Sequence, residues 1–155
     1  MFRFQQYLEE VVNKPYDFTY GGKLGDENSI WGHHHRYHFK SDNDRNFTVT
    51  ISKFREYVNH DVEFKDDEAN APGDFLKKTG KAGRHASRVF ATVHAIMKHH
   101  ANNHDVEGYR ASASKDSDGK ENSRTRLYDR MFAKRGIKPF EGNDFKAYNI
   151  PKDKL

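Results

Sequence analysis

The sequence of 155 residues contains no cysteine. This absence excludes disulfide bonds, thiolate zinc sites and thiol nucleophiles, so a reducing compartment is the simplest setting for the chain. No apolar run approaches the roughly 20 residues that a membrane-spanning helix needs. The first ten residues carry acidic groups where a signal peptide would have its apolar stretch. We therefore expect no membrane association and a protein that stays in the cytoplasm where it is made.

Apolar residues are also scarce. They make up 34% of the chain and the mean hydropathy is −1.09, values that are typical of disordered proteins. Aromatic residues nevertheless reach 14%, with 12 Phe and 8 Tyr, and large rings can supply the buried surface that many aliphatic residues usually provide. A chain of this length fits a single core. We expect one α+β domain in residues 15–155, preceded by a leader in residues 1–14.

The leader has the pattern of a short amphipathic helix. Phe4, Tyr7, Leu8 and Val11 recur at helical spacing, and polar residues occupy the other face. Pro15 ends the predicted helix.

Strand-like alternation dominates the first part of the domain. From His33 to Phe39 every second residue is predicted to point to the same face, and Phe47–Ile51 repeats this pattern after the turn-forming run 41–45. The two segments therefore predict an antiparallel hairpin. The other segments predicted here are a strand at Tyr16–Tyr20, a loop from Gly21 to Gly32 and a third strand of the meander from Val58 to Phe64.

Helical periodicity dominates the second part. Val89, Phe90, Val93 and His100 belong to one apolar stripe of a long predicted helix. The remaining predicted segments are an exposed connection at 65–83, a strand at 108–114, a loop at 115–122, a helix at 123–135 and a strand at 145–150. The predicted order is thus an antiparallel meander followed by helix, strand, helix and strand.

The connection before the long helix contains a lysine-glycine turn, Lys77-Lys78-Thr79-Gly80-Lys81-Ala82-Gly83. Small residues in such a turn let backbone N–H groups approach a pyrophosphate, and the helix that follows directs its positive dipole end at the same charge. An ordinary solvated loop is the alternative interpretation.

This turn is similar to the Q/R-x-x-G-x-G/A pattern of the GNAT acyltransferase superfamily, although Lys77 replaces the usual Gln or Arg. The superfamily also has the order of elements predicted here. The resemblance implies a GNAT-like fold, acyl-CoA-dependent N-acetyltransferase activity or a degenerate relative of it, and acetyl-CoA as cofactor. The residues that it assigns to the cofactor are Lys77, Lys78, Gly80, Lys81, Ala82, Gly83 and Arg84.

A second resemblance lies in the last predicted helix. The segment Asn122–Met131 is similar to the superfamily's N-x(5–6)-L-Y-[ED]-[KR]-[LM] helix, whose tyrosine often protonates the departing CoA thiolate. Position by position, this implies Tyr128 as the general acid. The usual Gly-Phe after the motif is absent. A core tyrosine packed beside Leu127 and Met131 is the alternative interpretation.

The segment Ser123–Arg130 also resembles uncharacterised tailed-bacteriophage proteins that carry an S-R-x-[RK]-L-Y-D-R stretch. This resemblance implies a phage protein in the host cytoplasm or in the virion. It leaves open a non-enzymatic accessory protein that is packaged in the virion or binds a host protein.

Histidines form two groups in the sequence, His33–His35 with His38, and His94–His104. Adjacent strand residues point to opposite faces, so at most two histidines of the first group share a side, and His60 is the nearest further donor. Two ligands are too few for a structural zinc site. The second group suits a helix C-terminus, which favours cationic histidine. The sequence therefore predicts no metal site.

Two further groups of residues remain undecided. Acidic residues available as a general base are Glu56, Asp61 and Glu63, and no motif distinguishes them. A basic face with interleaved tyrosines would make the chain a nucleic-acid-associated module. Its residues would be Arg84, Arg88, Arg110, Arg124, Arg126 and Arg130 with Tyr109 and Tyr128.

Overall fold

The computed structural model describes residues 14–42, 44–67, 82–114, 119 and 123–155. These residues form one sheet and two α-helices, so the predicted α+β class is confirmed. The strands are β1 (Phe18–Gly25), β2 (His33–Lys40), β3 (Asn46–Lys53), β4 (His60–Asp66), β5 (Gly108–Ser114), β6 (Phe140–Glu141) and β7 (Phe145–Pro151). The helices are α1 (Ala82–Asn103) and α2 (Ser123–Ala133), and a 3₁₀ helix covers Lys152–Lys154.

The sheet has the strand order β1-β2-β3-β4-β5-β7-β6. Strands β1 to β4 form the predicted antiparallel meander, and the predicted hairpin pairs His33 with Lys53 and Lys40 with Asn46. Strand β4 pairs with β5 in parallel, since α1 connects them. Strand β7 lies between β5 and β6 and is antiparallel to both.

One face of the sheet carries the core. Alternate residues of β2, β3, β4, β5 and β7 are buried there, as the period of two predicts for β2 and β3. Both helices cover this face, and the predicted stripe of α1 is confirmed, because Val89, Phe90, Val93 and His100 are buried. The aromatic rings supply much of the core. The largest buried side chains are Tyr37, Tyr109, Tyr148, Phe47 and Ile51.

Strand β1 is longer than predicted. It continues through the glycines that suggested a loop, and its register with β2 shifts between Tyr20 and Gly22. A Cβ atom at Gly21 would lie 2.5 Å from Nε2 of His38, so the exposed His38 ring would have to turn aside for a larger residue. The loop that follows is therefore shorter than the predicted one, and it ends at Gly32.

Helix α2 ends in a glycine cap. Gly136 has a φ of 71°, its N–H donates to the Ala133 carbonyl at 3.0 Å, and the Ile137 N–H donates to the Phe132 carbonyl at 3.1 Å. This double hydrogen bond is the Schellman arrangement, which satisfies the last carbonyls of the helix. The predicted end at Arg135 agrees with this cap.

Several predictions fall outside the described residues. They concern the leader helix in residues 1–14, of which only Lys14 is described, most of the connection 65–83 and most of the loop 115–122. Strand β6 was not predicted, because two residues are too short for a period to be visible. In the part of the chain that the structure describes, neither helix has the length and apolarity to cross a membrane.

Candidate functional site

Among the described strands, β4 and β5 form the one parallel pair. Their register covers three residue pairs and ends with Val62 opposite Ala111. Strand β4 then continues to Asp66 beside β3, and β5 continues to Ser114 beside β7, but the two strands no longer pair with each other. The sheet therefore opens toward the C-terminal ends of these strands, and we call this opening the β4–β5 gap.

The edges of the β4–β5 gap offer backbone hydrogen-bonding groups. In an antiparallel ladder, alternate residues turn their N–H and C=O groups away from the partner strand. On β4 and β5 these groups face the gap. An extended ligand could bond to them as an added strand would.

Helix α1 is directed at the same end of the sheet, because it runs antiparallel to β4. The His100 ring lies 5.2 Å from the His60 ring at the start of β4, and the Phe90 ring lies 5.3 Å from the Phe64 ring near its end. Ala82 begins the helix about 12 Å before Phe90. The positive dipole end of α1 therefore lies toward the open end of the gap.

Tyr128 lies beside the gap, with 3% of its surface exposed. Its ring stacks on Phe64 at 6.3 Å and meets Phe90 edge-on at 4.8 Å. With Val62 and Ala111 these residues line an apolar cavity of about 30 Å³, which has room for about two water-sized groups. Tyr128 is thus a core residue and also part of the wall of a cavity next to the last β4–β5 pair.

The lysine-glycine turn cannot be placed beside Tyr128. Lys77, Lys78, Gly80 and Lys81 lie outside the described residues. Ala82, Gly83 and Arg84 form the first turn of α1, but only their backbone is described.

A polar groove of about 490 Å³ crosses β4 and β5 on the opposite face of the sheet. Asp61 and Arg110 lie opposite each other in this groove, since they alternate with the inward-facing Val62 and Ala111. The Arg110 guanidinium lies 5.5 Å from the centre of the Phe140 ring. The groove therefore combines a carboxylate, a cation and aromatic surface.

Of the three acidic residues that sequence reasoning left undecided, Asp61 has a distinctive environment. Burial raises the pKa of the Asp61 carboxyl above its usual value, Arg110 opposes this rise and Glu63 adds to it. Glu63 and Glu56 are exposed. A carboxylate with a raised pKa in a groove is a candidate general base.

The acidic residue of the Leu-Tyr-Asp-Arg segment anchors α2 to the sheet. The Asp129 carboxylate accepts a hydrogen bond from Lys146 Nζ at 2.7 Å and another from the Tyr148 hydroxyl. Lys146 is buried, and its Nζ also lies 3.5 Å from a carboxylate oxygen of Glu141. Burial and the bond to Asp129 raise the pKa of Tyr148 well above its usual range. Sequence reasoning missed this role, although Lys146 lies on the same inward face of β7 as Tyr148 and Ile150.

Among the described residues, members of the basic face predicted for nucleic acid lie on different sides of the sheet. Arg88 lies over the Tyr16 ring and pairs with Asp42 at 2.6 Å, whereas Arg110 lies across the sheet in the polar groove. Tyr109 and Tyr128 are buried and present no stacking platform. Side chains of Arg84 and Arg124 are not described.

The two histidine groups meet in space. His35 on β2 contributes to a cluster with His100 and His104, in which one nitrogen of each ring lies within 4.8 Å of the others. The rings of His100 and His104 are 4.5 Å apart. The expected cationic character is wrong for His100, because burial and neighbouring histidines lower its pKa to about 3. His38 lies outside this cluster and contacts Thr48.

Comparison of the chain with models of protein families, with curated protein sequences and with solved structures found no match.

Proposed function

We propose that this protein has a GNAT-like fold and binds acyl-CoA along the β4–β5 gap, for transfer of the acyl group to an amine. The observation that carries the proposal is the loss of pairing between two adjacent parallel strands after Val62 and Ala111. The strand order supports it as well, because the resemblance implies a meander followed by helix, strand, helix and strand. The Leu-Tyr-Asp-Arg segment supplies the second line of support.

The described residues fit an acyl-CoA in two respects. Backbone groups along the gap suit the amides of a pantetheine arm, which can bond to a strand edge in extended form. The positive end of α1 suits the pyrophosphate, and Ala82 directly follows the lysine-rich turn in the chain. The cavity of about 30 Å³ is too small for the arm, so the arm would lie along the strands.

Acyl-CoA supplies an acyl group activated as a thioester. Tyr128 would hold a proton near the sulfur, since its ring is fixed by Phe64 and Phe90 beside the last β4–β5 pair. The amine would approach from the polar groove, where Asp61 would accept its proton. The raised pKa of Asp61 makes it a stronger base than an exposed carboxylate.

Calorimetric titration with acetyl-CoA tests the proposal. We expect one acetyl-CoA per chain, with thermal stabilisation that rises with ligand concentration. Coenzyme A without the acyl group should compete for the same site. Neither heat nor a stability shift at millimolar acetyl-CoA would overturn the proposal.

The Tyr128→Phe variant separates binding from chemistry. It removes a proton donor and little packing, so acetyl-CoA affinity should stay within about twofold while release of free CoA thiol to amines is lost. Tyr37→Phe is the matched control, because Tyr37 is equally buried but lies on β2. Equal turnover in the two variants would remove Tyr128 from the chemistry.

A further inference from the structure

The histidine cluster lies at the opposite end of the sheet from the β4–β5 gap. His35 comes from β2, His100 from the last turn of α1 and His104 from the residues just after it. The rings of His35 and His104 are 4.4 Å apart, and those of His35 and His100 are 5.1 Å apart. Three imidazoles from two elements thus converge on one point.

The hydrogen bonds of His100 fix which of its nitrogens carries the proton. The Tyr109 hydroxyl donates to the Met97 carbonyl at 3.0 Å and lies 2.8 Å from Nδ1 of His100. A hydroxyl has one proton and a carbonyl can only accept, so Nδ1 of His100 must donate to the Tyr109 oxygen. The lone pair of a neutral His100 is therefore on Nε2.

This lone pair on Nε2 of His100 is buried, and no described residue donates a hydrogen bond to it. His100 is fully buried, and its Nε2 has no hydrogen-bond partner among the described residues. Leaving a buried acceptor unsatisfied costs stability, and such groups in native proteins often mark a ligand. A histidine whose other nitrogen is held by a hydrogen bond is the usual state of a metal ligand.

In His35, too, a hydrogen bond occupies Nδ1. Its Nδ1 lies 2.8 Å from the Tyr20 hydroxyl, which leaves Nε2 as the nitrogen available to the cluster. Burial, together with repulsion from neighbouring histidines, lowers the pKa of His35 to about 4. Metal binding uses the neutral form of both imidazoles.

His104 completes the cluster from the solvent side, because it is exposed while the other two are buried. In a tetrahedral zinc site with Zn–N bonds of about 2.1 Å, nitrogens lie about 3.4 Å apart. The nitrogens of the cluster lie within 4.8 Å of one another, so a bound ion would draw the three rings closer together. No fourth His or carboxylate joins the group within the described ranges.

We propose that His35, His100 and His104 bind a divalent late transition-metal ion, with Zn²⁺ as the best match, and leave its fourth position open to solvent. Imidazole ligands favour zinc, copper and nickel over magnesium or calcium. Three histidines and an open position are the ligand set of a zinc ion that can bind water or a substrate. The proposal departs from the sequence-based expectation, which considered neighbouring strand residues without a contribution from the helix.

Titration of the protein with Zn²⁺, in a chain without an affinity tag, tests this proposal. We expect saturation at one equivalent, a rise in the thermal midpoint, and no effect of Mg²⁺. Co²⁺ should give the intense visible absorption of a tetrahedral nitrogen site, and Zn²⁺ should displace it.

Two variants assign the site. His104→Gln leaves the buried residues in place and should weaken Zn²⁺ binding by about a hundredfold, whereas His38→Gln, on the other face of β2, should not change it. Tyr109→Phe removes the group that orients His100 and should weaken binding by about tenfold. Absence of stoichiometric Zn²⁺ binding, or equal affinities of His104→Gln and His38→Gln, would overturn the proposal.

Discussion

Asp129 connects α2 to the sheet through two side chains of β7. The buried Lys146 ammonium and the Tyr148 hydroxyl both depend on this carboxylate. Removing one partner of a buried ion pair leaves the other charge uncompensated, and this costs more than the pair itself contributes. The acidic position of the Leu-Tyr-Asp-Arg segment therefore has a structural role that is independent of any chemistry at Tyr128.

We predict that Asp129→Asn lowers the free energy of unfolding by about 2 kcal/mol. This loss is smaller than the loss for a fully buried ion pair, because Glu141 still faces Lys146. Urea denaturation measures the change. Asp144→Asn is the control, since Asp144 is exposed. Equal stabilities of the two variants would show that Lys146 does not need Asp129.

Among the helices and strands, the sequence predicts those whose inward-facing residues recur with a clear period. The β2–β3 hairpin and α1 have the predicted faces, because inward-facing residues such as Phe39 and Val93 recur at the right spacing. Strand β1 was predicted too short because Gly21 and Gly22 usually indicate loops, and here they form a bulge against His38. Propensity alone does not distinguish glycines that form a bulge within a strand from glycines of a loop.

The loop between β1 and β2 ends at Gly32, which lies very close to the backbone of β3. Gly32 has a φ of 68°, and a Cβ atom there would lie 1.8 Å from the Lys53 carbonyl oxygen. We predict that Gly32→Ala lowers the free energy of unfolding by about 3 kcal/mol or more, since the backbone of β3 would have to move.

Gly136→Ala is the control for this substitution. Gly136 has nearly the same φ, 71°, but a Cβ atom there would meet only the end of the Lys154 side chain, at 3.4 Å. Its cost should be about 1 kcal/mol, which is the cost of the backbone conformation alone. Equal losses in the two variants, measured by urea denaturation, would contradict the steric account of Gly32.

For the whole molecule, the candidate sites could be predicted only in part. Sequence resemblance indicated Tyr128, but the separation of β4 and β5 follows from how strands pair in space. Likewise, His35 and His100 are far apart in the chain, and only the packing of α1 across the sheet brings them together. Periodicity assigns a residue to a face but not to the neighbours that it meets there.

Neutral histidines that are buried, or half-buried like His94, should make the stability of the metal-free protein depend on pH. Burial and the nearby Arg135 and Lys98 lower the pKa of His94 to about 4, compared with about 6.5 in an unfolded chain. Between these values the unfolded state binds more protons, so stability is complete above about pH 6.5 and falls as the pH decreases.

Chemical denaturation in the presence of a chelator, between pH 7.5 and 5, measures this dependence. Each pH unit below about 6.5 should cost up to about 1.4 kcal/mol per buried histidine. His94→Gln should flatten the slope, whereas His38→Gln, which replaces an exposed histidine, should leave it unchanged. Stability that rises on acidification would contradict the neutral state of these side chains.

Amide hydrogen exchange with and without acetyl-CoA tests the central claim, that an acyl-CoA lies in the β4–β5 gap. If backbone groups of the gap bond to the ligand, amides in 63–66 and 112–114 should exchange more slowly when it is bound, while those of β2 should not change. Protection confined to other parts of the chain, or no protection at saturating ligand, would contradict the account.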